Sequence, residues 1–491
     1  MKKYIKLFSL LSIGVVMASC SSDFLDAEPQ GYISNDQLQE SAKWNPNVML
    51  GQVTGTSLKT FEHGTGGTTN HDDFGQKSID IATDLMSGDM VMGGTNYGWF
   101  VADANLLNNT KDRNRAYQIW RYYFQIVKAA NSILDANGGD GKMPDEDSEN
   151  RIFYGQAKAL RAYAYLNLVN LYIRPYEESK NTKALPIYTT QLESKTVDFS
   201  TVDQIYTLVI NDLKEAITAL TGQERATKDA PDVYVAYGLL AYAYLQKGEY
   251  ANAAAAAKAV IDGGEYPIMT PEEILYSGFN SVNIDSWMWA IDLTIDNSPA
   301  LPTFWGHVDY FTYSYAAAGD YKEIADNLYA EIPTSDYRRY WFNKNYLLMP
   351  VGKFYDAARK PLGNRLWDND EVYMRVEEMY LILAEASARN NDLSTAQEAL
   401  GALLANRDAA AAEEVGQLSK DELLEQIYFN WRVEMWGEGR GLMTMKRFKK
   451  DVVRGSNDAT AKRGQTIKWN DSRLYFNIPE REITNNPNYK E

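Results

Sequence analysis

The chain has 491 residues, 45% of them hydrophobic, so it can bury a sizeable core. Its formal net charge is −17 and the sequence contains no basic stripe, which argues against a nucleic-acid partner because an acidic surface repels phosphate backbones. Most of the 34 Tyr and 11 Trp are expected in the core, but a surplus on loops would suit the flat apolar faces of sugars.

The N-terminus has the pattern of an export signal. Three lysines precede an apolar segment, residues 7–17, that is too short to span a bilayer. Cys20 follows two small residues and is the only cysteine, so a disulfide framework is excluded. This ending resembles the lipobox of bacterial lipoproteins. The resemblance implies a signal peptide at 1–19, lipidation of Cys20, a tether at 20–35 and anchoring in the cell outer membrane, facing outside. An ordinary secretory peptide with an incidental cysteine is the alternative.

Helical periodicity is the main pattern as far as residue 278. Two glycine-rich loops interrupt it, at 63–75 and 93–100. Ser200 or Thr201 is expected to cap the last helix before the central repeat. The predicted helices are 36–61, 76–90, 111–137, 149–172 and a helix from the cap to about 221.

The segment LLAYAYLQKGEYANA (239–253) matches the tetratricopeptide pattern. Ala241 and Ala253 take the small positions, which the repeat needs because its two helices approach closely. A degenerate copy lies at 381–396 and a partial copy of the first helix at 161–168. A generic pair of antiparallel helices is the alternative interpretation.

The character of the chain changes after residue 278. The next segment is rich in Trp, Tyr, Pro, Gly and Asn and has little helical period, which predicts a loop-rich insertion with short strands. Helical pattern then returns at 371–389, 392–407 and 419–437, before an extended end at 475–490. The predicted fold is mainly α, a tetratricopeptide-like scaffold of helical pairs, divided into 36–278, the insertion 279–365 and 366–491.

Three segments of the C-terminal region resemble the SusD/RagB family. They are MRVEEMYLILAEA (374–386), NWRVEMWGEGRGLMTMKRF (430–448) and FNIPEREITNNPN (476–488). Departures from the family pattern are Trp431 and the pair Thr444-Met445. The residues that stand at the motif positions of the second segment are Arg432, Glu434, Glu438, Gly439, Arg440, Met445 and Arg447. The acids and arginines of these motifs are spaced for pairing between adjacent helices, which indicates a structural role.

The resemblance implies a surface lipoprotein that captures oligosaccharide and delivers it to a partner TonB-dependent outer-membrane transporter of the SusC type. Capture of peptides by the same scaffold, or a role as a protein–protein adaptor, are the alternatives. We expect no enzymatic activity and no cofactor, because the sequence lacks H-E-x-x-H, G-x-S-x-G, P-loop and C-x-x-C motifs. His63 and His71, with Asp72 and Asp73 beside them, leave a metal site open as an alternative to solvated histidines.

The resemblance also implies where the ligand binds. In the family a ligand-contacting loop precedes the long helix that follows the N-terminal helices, and here that loop is GTNYGWF (94–100). We therefore predict contacts from Asn96, Tyr97 and Trp99, with a buried Trp99 as the alternative. A second ligand surface is predicted from the insertion, with candidates Trp287, Trp305, Tyr310, Tyr313, Tyr315 and Trp341. Trp289 is assigned to the core.

Overall fold

The computed structural model describes residues 47–191, 197–299, 301–360 and 363–489, together with Gln37, Glu40, Ser41 and Asn45. Cys20, the predicted signal peptide and the predicted tether lie outside the described residues. No helix in these ranges has the length and apolar character needed to cross a bilayer.

Helices form most of the chain up to residue 278. They are α1 (Asn47–Leu58), α2 (Gln76–Ser87), α3 (Val101–Ala104), α4 (Asn114–Ala136), α5 (Arg151–Tyr172), α6 (Tyr176–Ser179), α7 (Val202–Leu220), α8 (Val233–Lys247), α9 (Tyr250–Gly263) and α10 (Pro271–Tyr276). The predicted cap of α7 is Thr201 rather than Ser200: its side chain accepts from the backbone N–H of Gln204, whose side chain accepts from the Thr201 N–H.

The remaining helices are shorter until the C-terminal motifs are reached. They are α11 (Phe304–Val308), α12 (Asp326–Glu331), α13 (Val376–Arg389), α14 (Leu393–Leu404), α15 (Ala409–Glu414), α16 (Lys420–Glu434), α17 (Gly441–Arg447) and α18 (Glu480–Asn485). Helix α18 corrects the expected extended end. Its first residue follows Pro479, whose fixed φ suits a helix start.

The described strands form four antiparallel pairs. These are β1 (Met90–Met92) with β5 (Lys322–Ile324), β2 (Lys183–Pro186) with β3 (Phe199–Thr201), β4 (Trp287–Ile291) with β6 (Glu371–Arg375), and β7 (Val452–Val453) with β8 (Thr466–Ile467). The strand β6 corrects the predicted helix 371–389, because the helix begins only at Val376. Residues 371–375 are buried on both faces and bond to β4 instead.

The predicted tetratricopeptide pair is confirmed. Helix α8 ends at Gly248, whose left-handed φ of 80° reverses the chain into α9. Ala241 and Ala253 are fully buried, as the close approach of the two helices requires. The degenerate copy corresponds to α13 and α14, and the partial copy lies inside α5. Helices α4, α5, α7, α8, α9, α13 and α14 pack successively along the chain, which gives the mainly α, tetratricopeptide-like fold predicted from the sequence.

Arg375, Glu434 and Glu438 of the C-terminal motifs form a buried ion network with two further arginines, Arg338 and Arg407. Glu434 accepts from Arg375 Nη1 at 2.7 Å and Arg407 Nη2 at 2.8 Å, and from Arg338 Nη1 at 3.1 Å. Glu438 binds Arg375 Nε at 2.9 Å, and the neighbouring arginine charge holds its pKa down at about 2. The network joins β6, the segment after α14 and the end of α16, so its role is structural, as the spacing indicated.

Candidate ligand-binding site

The loop at 93–100 is held against residues 318–321 of the insertion. The Asn96 side chain donates to the Ala318 carbonyl at 2.9 Å, and the Asn96 N–H donates to the Gly319 carbonyl at 3.2 Å. The fully buried Asp320 carboxylate accepts hydrogen bonds from three backbone N–H groups of the same loop. Oδ1 accepts from Tyr97 at 3.1 Å and Gly98 at 3.2 Å, and Oδ2 accepts from Trp99 at 3.1 Å. One carboxylate therefore fixes three consecutive residues of the predicted ligand loop.

Two glycines permit this geometry. A Cβ on Gly94 would lie 2.3 Å from the Gly319 carbonyl oxygen, so only glycine allows the two segments to meet here. Gly98 has a φ of 80°, which L residues with side chains rarely adopt. The chain turns at Gly98, and the rings of Tyr97 and Trp99 on either side of it both contact Tyr315.

Four rings form a connected aromatic surface, which we call the platform: Tyr97, Trp99, Tyr315 and His71. Tyr97 is 61% exposed, and its ring centroid lies 5.3 Å from that of Tyr315. Trp99 lies 6.0 Å from Tyr315 and stacks on His71 at 5.6 Å with 11° between the ring planes. Trp99 and Tyr315 are half-buried, so each keeps some of its surface open to solvent. The platform thus joins side chains from three separate segments of the chain.

The buried ring of His307 packs against the platform. His307 is fully buried, stacks on Tyr315 at 4.7 Å, and its Nε2–H donates to the His71 carbonyl at 2.8 Å. Burial, with the Lys322 charge adding to it, holds the His307 pKa well below its usual value, so the ring is neutral near pH 7. The His71 ring is hydrogen-bonded to the Tyr315 hydroxyl. Burial, and then the neighbouring His63, lower its pKa.

A cleft of about 310 Å³ opens beside Trp99. Its wall carries amide and guanidinium groups from Asn70, Asn108, Arg113 and Asn114. Such groups can bond the hydroxyls of a sugar that packs on the ring. Among the residues the structure describes, no group of three or more His, Cys, Asp or Glu side chains is arranged to hold a metal ion. His63 instead contacts the Asn70 carbonyl at 3.0 Å through Nε2.

The ligand contacts predicted for three tryptophans are wrong. Trp287, Trp305 and Trp341 are 0%, 1% and 0% exposed and belong to a second hydrophobic core beneath the insertion. The Trp341 indole donates to the Ile274 carbonyl at 2.9 Å inside that core. A loop-rich segment has to bury aromatic rings to form its own core. The alternation of side chains along β4 could not show whether Trp287 is exposed, because both faces of this strand are covered. Trp289 is in the core, as assigned.

Tyr310 and Tyr313 are exposed but are not part of the platform. Tyr310 contacts the Tyr346 ring at 5.7 Å, and the Arg365 guanidinium lies 3.8 Å from the Tyr313 ring centroid. Of the insertion candidates, Tyr315 alone has a described ring contact with Tyr97 or Trp99.

Sequence reasoning missed Asp320 and the ring stacking of His71. An aspartate in a Gly-Asp turn has no local pattern that reveals three distant backbone partners. His71 stood out only as a loop histidine beside two aspartates. The Asp320 contacts join segments more than 200 residues apart, and the His71 ring stacks on Trp99 from a different loop.

Two family models match separate parts of the chain. A family model described as "Starch-binding associating with outer membrane" matches residues 66–245, and one described as "SusD family" matches 301–491. No curated protein matches the chain.

Solved structures share the fold at low identity. A SusD-like carbohydrate-binding protein from Bacteroides vulgatus has a TM-score of 0.75 and 23% identity, covering 90% of this chain and 96% of its own. A putative sugar-binding protein from the same organism has a TM-score of 0.74 and 22% identity, with 91% and 97% covered. Surface glycan-binding protein A from Bacteroides thetaiotaomicron has a TM-score of 0.66 and 16% identity, with 89% and 96% covered. With two of its models matched in order along most of the sequence, the chain belongs to the SusD/RagB family.

Proposed function

We propose that this protein binds oligosaccharide on the platform and acts as a capture protein rather than an enzyme. The observation that carries the proposal is the exposure of Tyr97 next to Tyr315 and Trp99, on a loop locked by Asp320. Sugar rings present C–H faces that pack on aromatic rings, while their hydroxyls need amide or guanidinium partners. The platform supplies the first and the cleft beside Trp99 supplies the second.

The comparisons support a carbohydrate ligand. One matching family model is described as starch-binding, and relatives of the same fold are named as carbohydrate-binding or glycan-binding proteins. A binding role fits a ring-lined surface without a nucleophile or a metal motif in the sequence. We expect weak affinity, because a capture protein has to release what it binds.

We further propose that Cys20 anchors the protein by lipid to the outer membrane, facing outside, and that the bound sugar passes to a TonB-dependent transporter. The sequence at Cys20 supports the anchor, and the family description "associating with outer membrane" supports the location. Replacement of Cys20 by alanine should release the protein from outer-membrane fractions of cells that lack the transporter. Retention of that variant in the membrane would contradict a lipid anchor.

Binding by the platform is tested with Tyr97→Ala. Tyr97 is largely exposed, so its removal should leave the unfolding midpoint unchanged and weaken retention by a glycan identified on an array by about tenfold, roughly the worth of one stacked ring. Tyr276→Ala is the matched control, because Tyr276 is 71% exposed and has no ring contact with the platform. Equal retention of both variants would refute the platform as the binding surface.

A further inference from the structure

A second cleft, of about 280 Å³, lies between the C-terminal end of α5, the turn between α8 and α9, and α17. It shares no lining residue with the platform or with the cleft beside Trp99. Apolar walls come from Ile173, Leu245, Met443 and Phe448. Its size suits a ligand no larger than a single sugar or a small organic acid.

The charge of this cleft is opposite to that of the chain as a whole. Five of its described lining residues are cationic and one, Glu177, is acidic, although the protein carries −17. The cations are Lys247, Arg389, Lys446, Arg447 and Lys449. An excess of positive charge in a concave site concentrates anions there.

Carboxylates of the protein already pair with four of these cations. Glu385 accepts from Arg389 Nε at 2.9 Å and from Arg447 Nε at 2.7 Å. Lys449 pairs with Glu177 at 2.6 Å, and Lys247 pairs with Glu249 at 2.9 Å. The guanidinium forks that would best hold a phosphate are therefore occupied.

Lys446 is the exception. The residue is 5% exposed, and its ammonium has no hydrogen-bond partner among the described residues. The ammonium lies 3.7 Å from the centroid of the Tyr475 ring, and the Tyr475 hydroxyl is also buried without a described partner. Arg174, 5.4 Å from the same ring, brings a second positive charge rather than a counter-ion.

A buried ammonium without a hydrogen-bond acceptor destabilises the folded protein unless a ligand supplies the acceptor. An ammonium has three donors, and buried polar groups are nearly always hydrogen-bonded. Burial, and then the Arg174 charge, lower the Lys446 pKa to about 7. A methionine would fill the same space without that cost. A small anion would supply both the charge and the acceptors that Lys446 and the Tyr475 hydroxyl lack.

We propose that this cleft binds a small carboxylate ligand, which accepts hydrogen bonds from Lys446 Nζ and the Tyr475 hydroxyl. The carboxylate belongs to a sugar acid or to a small organic acid, since both fit the cleft. The site is separate from the platform and does not depend on the proposed function there.

The test compares binding of glucuronate, glucose and succinate to the full chain at low salt by calorimetry. Wild type should bind at least one of the two carboxylates more tightly than glucose, and Lys446→Met should abolish that difference, a loss of at least about tenfold. Binding of glucuronate but not of succinate would identify the ligand as a sugar acid. Binding of both would show that the carboxylate group is sufficient. Binding of glucuronate at the platform would instead survive Lys446→Met and be lost in Tyr97→Ala.

Two further variants protect the conclusion. Lys449 lies three residues after Lys446, is exposed and is already paired with Glu177. Lys449→Met removes the same charge as Lys446→Met but should change carboxylate binding by no more than about twofold. Tyr475→Phe removes only the hydroxyl and should weaken the carboxylate by about threefold or more. If neither carboxylate binds better than glucose, or if Lys446→Met and Lys449→Met weaken binding equally, the proposed site is wrong.

Discussion

Replacement of Asp320 tests whether the platform is prepared before ligand arrives. In Asp320→Ala the three N–H groups of Tyr97, Gly98 and Trp99 lose their acceptor. Asp320→Asn keeps one oxygen but turns an amide donor toward one of the N–H groups. Neither change removes a ring from the platform, so any effect on binding has to act through the position of the loop.

The magnitude follows from the number and kind of bonds lost. A hydrogen bond to a charged group contributes about 1.5–3 kcal/mol. Three of them share one carboxylate, and the freed N–H groups at a half-exposed loop can turn to water. We therefore expect Asp320→Ala to lower the free energy of unfolding by about 2–4 kcal/mol, with about half that loss for Asp320→Asn. Ligand must then order the loop itself, which should weaken binding by about ten- to a hundredfold.

Thr201→Ala is the control for loss of stability alone. It removes the cap of α7 and should cost about 1 kcal/mol without touching the platform. Chemical unfolding gives the stability of each variant, and affinity electrophoresis gives glycan retention. If Asp320→Ala retains glycan as well as Thr201→Ala does, the loop does not need its carboxylate anchor and the argument from preorganisation fails.

Two further outcomes follow from buried charges. Glu434→Gln leaves three guanidinium groups with a neutral partner and should lower the free energy of unfolding, measured in urea, by about 3–5 kcal/mol. The control Glu413→Gln changes an exposed residue and should alter that free energy by less than about 0.5 kcal/mol. For Lys446 the lowered pKa means that the unfolded chain binds more protons between pH 7 and its ordinary value of 10.5. The free energy of unfolding of wild type minus that of Lys446→Met should therefore rise by about 1.4 kcal/mol per pH unit from pH 7 and level off near pH 10; a flat difference would contradict a buried, unpaired ammonium.

The helical scaffold was predictable because its signals are local. Small residues at fixed spacing identified the pair α8 and α9, and Gly248 marked the turn between them. The strand β6 was missed because its five residues directly precede a helix and look like the first turn of that helix. Only the distant strand β4, which pairs with their backbone, makes them a strand. Buried and exposed tryptophans of the insertion could not be separated, since that segment has no period and folds around its own core. Tyr97 was predicted as a ligand contact from the family resemblance of its loop, whereas Asp320 was not singled out, because its partners are distant along the chain.

The buried tryptophans of the insertion belong to the core on which the platform rests. Trp287, Trp305 and Trp341 form a packed core with Phe74 and Phe100. His307 stacks on Phe74 at 5.3 Å on one side and on Tyr315 at 4.7 Å on the other, so the platform rests on this core through neutral, buried rings. Packed rings of this kind do not move freely. Tyr315 is therefore held in place before any ligand arrives, so binding at the platform would have little conformational order left to impose.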